Sequence, residues 1–353
     1  MRAIVWSGLA AALLAGSATA APVGERQLTT VQPGAKARDA EGRDTLRVTV
    51  WYRAEEGSAE TSIDVGPPGK PLFKLGSVAL DAPFADAERR PVILLSHGFG
   101  GSARSMAWFG KALAERGYVV VAPDHPGNNG IDQMTVRGAM MWWERAKDLK
   151  AALSAAKADP TVGAHIDSAR VGVAGFSIGG LTALVAGGAR VSPENIIAFC
   201  DANPADGVCR PQIEFAVSRE QWSAAFTDPE LTAEMAEARS DHSVAGVRAV
   251  FAMAPVVQVA SPESLKAMRV PVSIITGDAD ATVPPATHAR VAARLIPRVK
   301  LEEIATATHY SFLGTCTPAG REVVPVCKDA AAQQEAHTRA IAAAEALFDE
   351  TLR

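Results

Sequence analysis

The chain is 353 residues long, 48% hydrophobic, with a formal net charge of −4. That is enough apolar material for one large core. The lack of any basic excess excludes the electrostatic footprint of a nucleic-acid or anionic-membrane binder.

In chain order, Met1-Arg2, an apolar run over 3–16 and the small residues Ala18-Thr19-Ala20 read as a secretory signal peptide over 1–20, cleaved before Ala21. The run is too short for a stable membrane span, and no cysteine follows it to carry a lipid. Residues 21–45 are polar and charged, and read as a loosely held N-terminal arm ahead of a first strand over 46–52. The continuous apolar stretch Pro91-Val92-Ile93-Leu94-Leu95-Ser96 predicts a buried strand ending in the glycine-rich turn His97-Gly98-Phe99-Gly100-Gly101. Helical patterns follow over 103–116 and 141–158. The second opens on Trp142 and Trp143, of which at least one belongs to the core and the other is free to line a groove.

The most informative stretch is Gly175-Phe176-Ser177-Ile178-Gly179. It follows an apolar strand over 170–174 and precedes a small-residue helix over 178–187. Gly-x-Ser-x-Gly between a strand and a helix is the nucleophile elbow, a sharp turn that lifts a serine hydroxyl above the sheet edge. The bare pattern recurs by chance, so the strand–turn–helix context carries the inference. Residues 189–246 then read as an insertion, with Phe215, Trp222, Phe226 and Met235 spaced among helix-forming charged residues. The insertion is either a helical pair closing on its own apolar face or a cap walling an acyl pocket, and both can hold together.

Further strands are expected over 247–253, 270–276 and 299–304, with helices over 284–295 and 331–352. In the last helix Ile341, Ala344, Phe348 and Leu352 share one face. The strand over 270–276 runs into Gly277-Asp278-Ala279-Asp280, and His309 lies in the loop after the last strand. The order Ser177, Asp280, His309 is the chain order that an elbow serine requires of its acid and base. Asp278 is the competing acid, but an aspartate directly after a glycine more often bonds loop amides. The histidines at 97, 125, 165, 242, 288 and 337 lack the placement of His309. The amides of Phe99 and Ile178 are the expected oxyanion donors, with His97 bracing the turn.

Four cysteines fall as two close pairs, Cys200 with Cys209 and Cys316 with Cys327. Three pairings are possible. Local bridging closes the smallest loops and is preferred, as suits an oxidising compartment. A zinc site would need Cys-x-x-Cys or His-rich spacing, which the chain lacks.

The succession of strand-HGFGG, GFSIGG, GDADATVPP and THYSFLG resembles the α/β-hydrolase superfamily. More narrowly it is similar to the bacterial predicted dienelactone hydrolase group related to platelet-activating-factor acetylhydrolases. The resemblance implies an α/β fold with a mostly parallel central sheet flanked by helices and a small helical cap. It also implies a serine carboxylic-ester hydrolase working through an acyl-enzyme on a small-molecule or lipid-like ester, with no cofactor and no metal. The Gly-x-x-Asp spacing of related enzymes favours Asp280 as the acid. Two departures limit the transfer. Dienelactone hydrolases use a cysteine where this chain has Ser177, and acetylhydrolases tend to carry histidine where it has Phe176. Polyester (cutinase-like) or lactone cleavage is the nearer alternative, and a catalytically silent hydrolase-fold binding protein is the more distant one. The expected location is periplasmic or secreted.

Overall fold

Long runs of β-branched residues, such as Val119-Val120-Val121, cannot alternate between core and water and must be covered on both faces, as in a parallel sheet. The computed structural model describes residues 21–353; the expected signal peptide lies outside the described residues. Its strands are β1 (Val23–Val31), β2 (Thr45–Arg53), β3 (Thr61–Ser62), β4 (Phe73–Lys74), β5 (Ser77–Leu80), β6 (Arg90–Ser96), β7 (Val119–Pro123), β8 (Ile166–Phe176), β9 (Val247–Met253), β10 (Val272–Gly277), β11 (Val299–Ile304) and β12 (Thr315–Cys316). The main sheet runs β11-β10-β9-β8-β6-β7-β2-β1-β5-β3. From β7 to β11 every neighbour is parallel, while β2 joins β7 and β1 joins β2 antiparallel. β12 pairs separately with β4.

Helices cover both faces. Ala107–Glu115 and Gln333–Leu352 pack on one, around Phe109, Phe251 and Phe348. Glu144–Ala158 and Ile178–Ala186 pack on the other, around Leu149, Val173 and Leu184. Ala344, Phe348 and Leu352 are buried, so the last helix presents the expected face to the sheet. Among the described residues no helix is long and apolar enough to cross a membrane. The segment expected as a helix from 284 begins as turns and becomes helical only at Ala289.

The expectation of a loosely held arm over 21–45 needs correction. Val23–Val31 forms nine register pairs with β2, from Val23 opposite Arg53 to Val31 opposite Thr45. Its polarity misled because one face of this antiparallel strand is half exposed, and because its charges are paired. Glu25, fully buried, accepts from Trp51 Nε1 at 2.9 Å and from Arg104 Nε at 3.1 Å. Beyond the strand, Arg38 is 1% exposed and its guanidinium donates both Nη atoms to Asp148, at 2.8 and 2.7 Å. Gln32 Nε2 adds a third bond to the same carboxylate at 2.8 Å. Burial alone would raise the Asp148 carboxyl, but Arg38 and His125 outweigh it and hold the group below its ordinary range.

An ion pair this deep is costly to break from one side, because the surviving charge is stranded. Arg38→Ala should therefore destabilise the fold by about 3–5 kcal/mol, read from the urea midpoint. A change within the scatter of surface substitutions would return the segment to the status of a loose arm.

Candidate active site

At the end of β8 the chain must reverse from strand to helix in a single residue. Ser177 does this with φ 58° and ψ −120°, a conformation that costs a non-glycine residue on the order of 1–3 kcal/mol. The turn is possible only because the positions two residues to either side, Gly175 and Gly179, carry no side chains. A Cβ on Gly175 would lie 2.0 Å from the Gly179 carbonyl oxygen, and one on Gly179 would lie 2.1 Å from that of Ser96. Hydrogen bonds from Ser177 N to Met253 O (2.8 Å) and from Val256 N to Ser177 O (3.2 Å) tie the strained residue to the next strand.

The hydroxyl so presented meets the histidine. Ser177 Oγ lies 2.9 Å from His309 Nε2, and His309 Nδ1 lies 2.7 Å from Asp280 Oδ2. A carboxylate only accepts, so Nδ1 carries the proton and Nε2 is left to accept from the serine. The other carboxylate oxygen of Asp280 accepts from Thr282 N (2.9 Å) and Val283 N (2.7 Å), which fixes its plane. Asp278 is exposed and accepts instead from Thr306 N at 2.7 Å, bracing the loop. Phe176 and Tyr310 pack on the His309 ring. The turn carrying His309 is pinned from behind: Thr308 Oγ1 donates to Asp329 O and Ser311 Oγ to Ala331 O, just past the Cys316–Cys327 bridge.

Gly98 packs over Phe176 and Ser177, which brings the turn after β6 beside the serine. Neither the Phe99 nor the Ile178 amide donates a hydrogen bond to any group among the described residues. His97 is fully buried, accepts from His125 N through Nε2 at 3.1 Å, and therefore donates from Nδ1 to Gly98 O at 2.7 Å. Below it Arg145 spans the site. It donates to His97 O, to Asn128 Oδ1 (3.3 Å) and to Thr182 Oγ1 on the helix after the elbow (3.0 Å). Asn128 Oδ1 in turn accepts from Gly100 N at 3.2 Å. Burial pushes Arg145 down to about 9, with Arg38 adding to the effect and Asp148 opposing it.

Sequence reasoning found His97 as a brace of the turn and missed the rest of this layer. Nothing in the local pattern marks Arg145, His125 or Asp148, because their partners come from distant segments. The layer even contains a second Ser–His–Asp chain. Ser96 Oγ lies 2.8 Å from His125 Nε2, and His125 Nδ1 lies 2.9 Å from Asp148 Oδ2. All three residues are fully buried, so this chain has no access to a substrate.

Over Ser177 and His309 lies a small cavity of about 30 Å³, closed in by Phe99, Thr282 and Tyr310 and, from the insertion, Gln212 and Glu214. The insertion consists of helices Pro193–Ala202, Arg219–Thr227 and Pro229–Ala238, with the Cys200–Cys209 bridge at its first corner. It sits directly on the loop that carries Asp280. A Cβ on Gly207 would lie 2.2 Å from Ala281 O, and Thr287 Oγ1 donates to Asp206 at 2.7 Å. Trp142 and Trp143 are both buried, and Trp142 stacks on Trp222 of the insertion at 5.4 Å.

Burial pushes four histidines down: His125 to about 3, His337 to about 4, His97 well below its ordinary value, and His242 below its own. The unfolded chain takes up protons near about pH 6.5 that the native state refuses, so stability must fall as pH drops below that point. Each group contributes a slope approaching about 1.4 kcal/mol per pH unit, continuing until its native pKa is reached. The urea midpoint should therefore decline steadily from pH 7 to about 4. His337→Gln, which keeps a donor for Leu313 O, should flatten the decline; an unaltered slope in that variant would remove His337 from the account.

Comparison with known proteins agrees with this architecture. A family model described as PETase, PET hydrolase-like, matches residues 75–210, which include Ser177 but neither Asp280 nor His309. The cutinase est1 of Thermobifida alba is 37% identical over 90 residues, covering 25% of this chain and 27% of that protein. The bis(hydroxyethyl) terephthalate hydrolase of Streptomyces coelicolor is 36% identical over 100 residues, 28% of this chain and 29% of that one. The chain thus spans less than a third of the length of these curated relatives. A ferulic acid esterase from Streptomyces cinnamoneus superposes with a TM-score of 0.60 at 20% identity, covering 96% of this chain and 92% of the other, a likeness of fold. With its parallel sheet, strand–elbow–helix turn and these relatives, the chain is a member of the α/β-hydrolase superfamily.

Proposed function

We propose that the protein is an exported serine carboxylic-ester hydrolase. The observation that carries this reading is the unbroken relay from Ser177 Oγ through His309 to Asp280, with bonds of 2.9 and 2.7 Å, at the carboxyl ends of parallel strands. In the proposed reaction Ser177 Oγ bonds to the ester carbonyl carbon while its proton passes to His309 Nε2. Asp280 holds the imidazole in the required tautomer and stabilises its charged form. The tetrahedral oxyanion is held by the Phe99 and Ile178 amides. The carbon–oxygen bond to the alcohol then breaks, and His309 returns its proton to the leaving oxygen. Water attacks the acyl-enzyme by the same route, giving the carboxylic acid and free serine. Export is supported by the signal-like first 20 residues and by the two disulfides. Residues 189–246 act in this reading as a cap.

Ser177→Ala should lower kcat on p-nitrophenyl acetate by about 10⁴-fold or more, abolish fluorophosphonate labelling and leave the melting transition in place. A folded variant that keeps most of its activity would sink the proposal, and a wild-type protein that resists the label would point to a silent binding protein. Asp280→Asn should reduce kcat by about 10⁴-fold by mis-setting the imidazole tautomer. Asp278→Asn should change it only a few-fold, since it touches the loop alone; the reverse ranking would move the acid to Asp278.

A second reading within the same chemistry is cleavage of polyester or terephthalate esters. It is favoured by the PET hydrolase-like match and by the cutinase and terephthalate-ester relatives. Release of acid from bis(hydroxyethyl) terephthalate, measured beside p-nitrophenyl acetate, separates the two.

A further inference from the structure

The insertion encloses far more space than the small cleft above the serine. Between its helices lies a cavity of about 530 Å³, lined by Ile196, Ile197, Phe215, Val217, Trp222 and Phe226. Both cysteines of the Cys200–Cys209 bridge lie in its wall, so the bridge holds the loop that closes it. Phe99 and Gln212 line this cavity and also the cleft over Ser177, so the two spaces share a wall. A chamber of this size is costly to leave wet against so many apolar side chains, and it falls within the range of small-molecule sites.

The chemistry of the relay says which half of an ester belongs there. The leaving oxygen must receive its proton from His309, so the alcohol lies on the side of His309, Tyr310 and Leu313. None of these three lines the larger cavity. Phe99, whose amide faces the oxyanion in the proposed reaction, lines both. The acyl part therefore extends away from His309, past Phe99 and Gln212 and into the insertion.

We propose that this cavity is the acyl-binding site, and that the enzyme selects esters of medium-length apolar acids, a reading that rests on the ester-hydrolase function proposed above. At about 30 Å³ for each water-sized group, it has room for a chain of on the order of ten carbons or more. Each methylene drawn from water adds at most about fourfold to kcat/KM.

The test uses two substrate series on the disulfide-intact protein, below micelle-forming concentrations. The first varies the acid, from p-nitrophenyl acetate through hexanoate to decanoate. The second varies the alcohol, as alkyl acetates from ethyl to decyl. kcat/KM should rise by about tenfold or more from acetate to decanoate and stay within about threefold across the alkyl acetates. Ile197→Arg, which sets a charge at the cavity mouth where its head still reaches water, should lower the decanoate-to-acetate ratio by about tenfold. Val217→Trp, which takes up part of the chamber, should do the same, and the melting transition reports that each variant is folded. A flat acyl series, or a ratio that neither variant moves, would overturn the proposal. A rise along the alcohol series instead would place the leaving group in the cavity and overturn the acyl assignment. Should no p-nitrophenyl ester of the series be cleaved, the ester-hydrolase reading fails, an outcome distinct from failure of the cavity assignment.

Discussion

Everything at the site depends on the reversal at Ser177. A chain leaving a buried parallel strand and entering a helix within one residue must adopt a backbone conformation that L-residues resist. It must also bring its neighbours within van der Waals contact of another strand's carbonyls. Gly175 and Gly179 make the second demand possible, and the bonds to Met253 O and from Val256 N hold the first in place. Once the turn is set, the positions of the other parts follow from sheet order. β6 lies beside β8, with β9, β10 and β11 on the other side, so the loops carrying Phe99, Asp280 and His309 converge on the same sheet edge.

Beneath that edge the protein buries an unusual amount of charge. Arg38, Arg145 and Asp148 are nearly or wholly sealed from water, with His97 and His125 held neutral between them. Such a layer contributes little net stability compared with well-packed apolar side chains. Its value here is directional. Arg145 joins the backbone of the turn after β6 to the helix that starts at the elbow, which fixes that turn relative to Ser177. Asp148 extends the same layer to Arg38 and Gln32, so the N-terminal segment reaches the support of the site. The buried Ser96–His125–Asp148 chain shows that a serine, histidine and aspartate in hydrogen-bonding order are not by themselves an active site. Access distinguishes the two.

The insertion is bound to this framework as firmly as the loops it covers. Gly207 rests against the loop after β10, Asp206 accepts from Thr287, and Trp222 stacks on Trp142. Its apolar side is only partly filled by its own helices, and the rest encloses the chamber next to Phe99. One layer thus supports Ser177 and its surroundings from below, and another bounds the space above them.

The amino-acid sequence by itself determined the parallel core and the order of the loops that carry Phe99, Ser177, Asp280 and His309. Those features are local. Continuous apolar runs can only be buried strands, and a serine between two glycines at a strand–helix junction needs no distant partner to be recognised. Proximity in sequence likewise told which cysteines would meet. The place of residues 21–45 was decided only by tertiary structure, because distant groups satisfy its charges: Trp51 and Arg104 bond Glu25 in the strand, and Asp148 bonds Arg38 beyond it. The same holds for Arg145 and His125, whose partners lie far along the chain, and for the cavity in the insertion. A cavity is the space that packed elements fail to fill, and no residue carries a local mark of it.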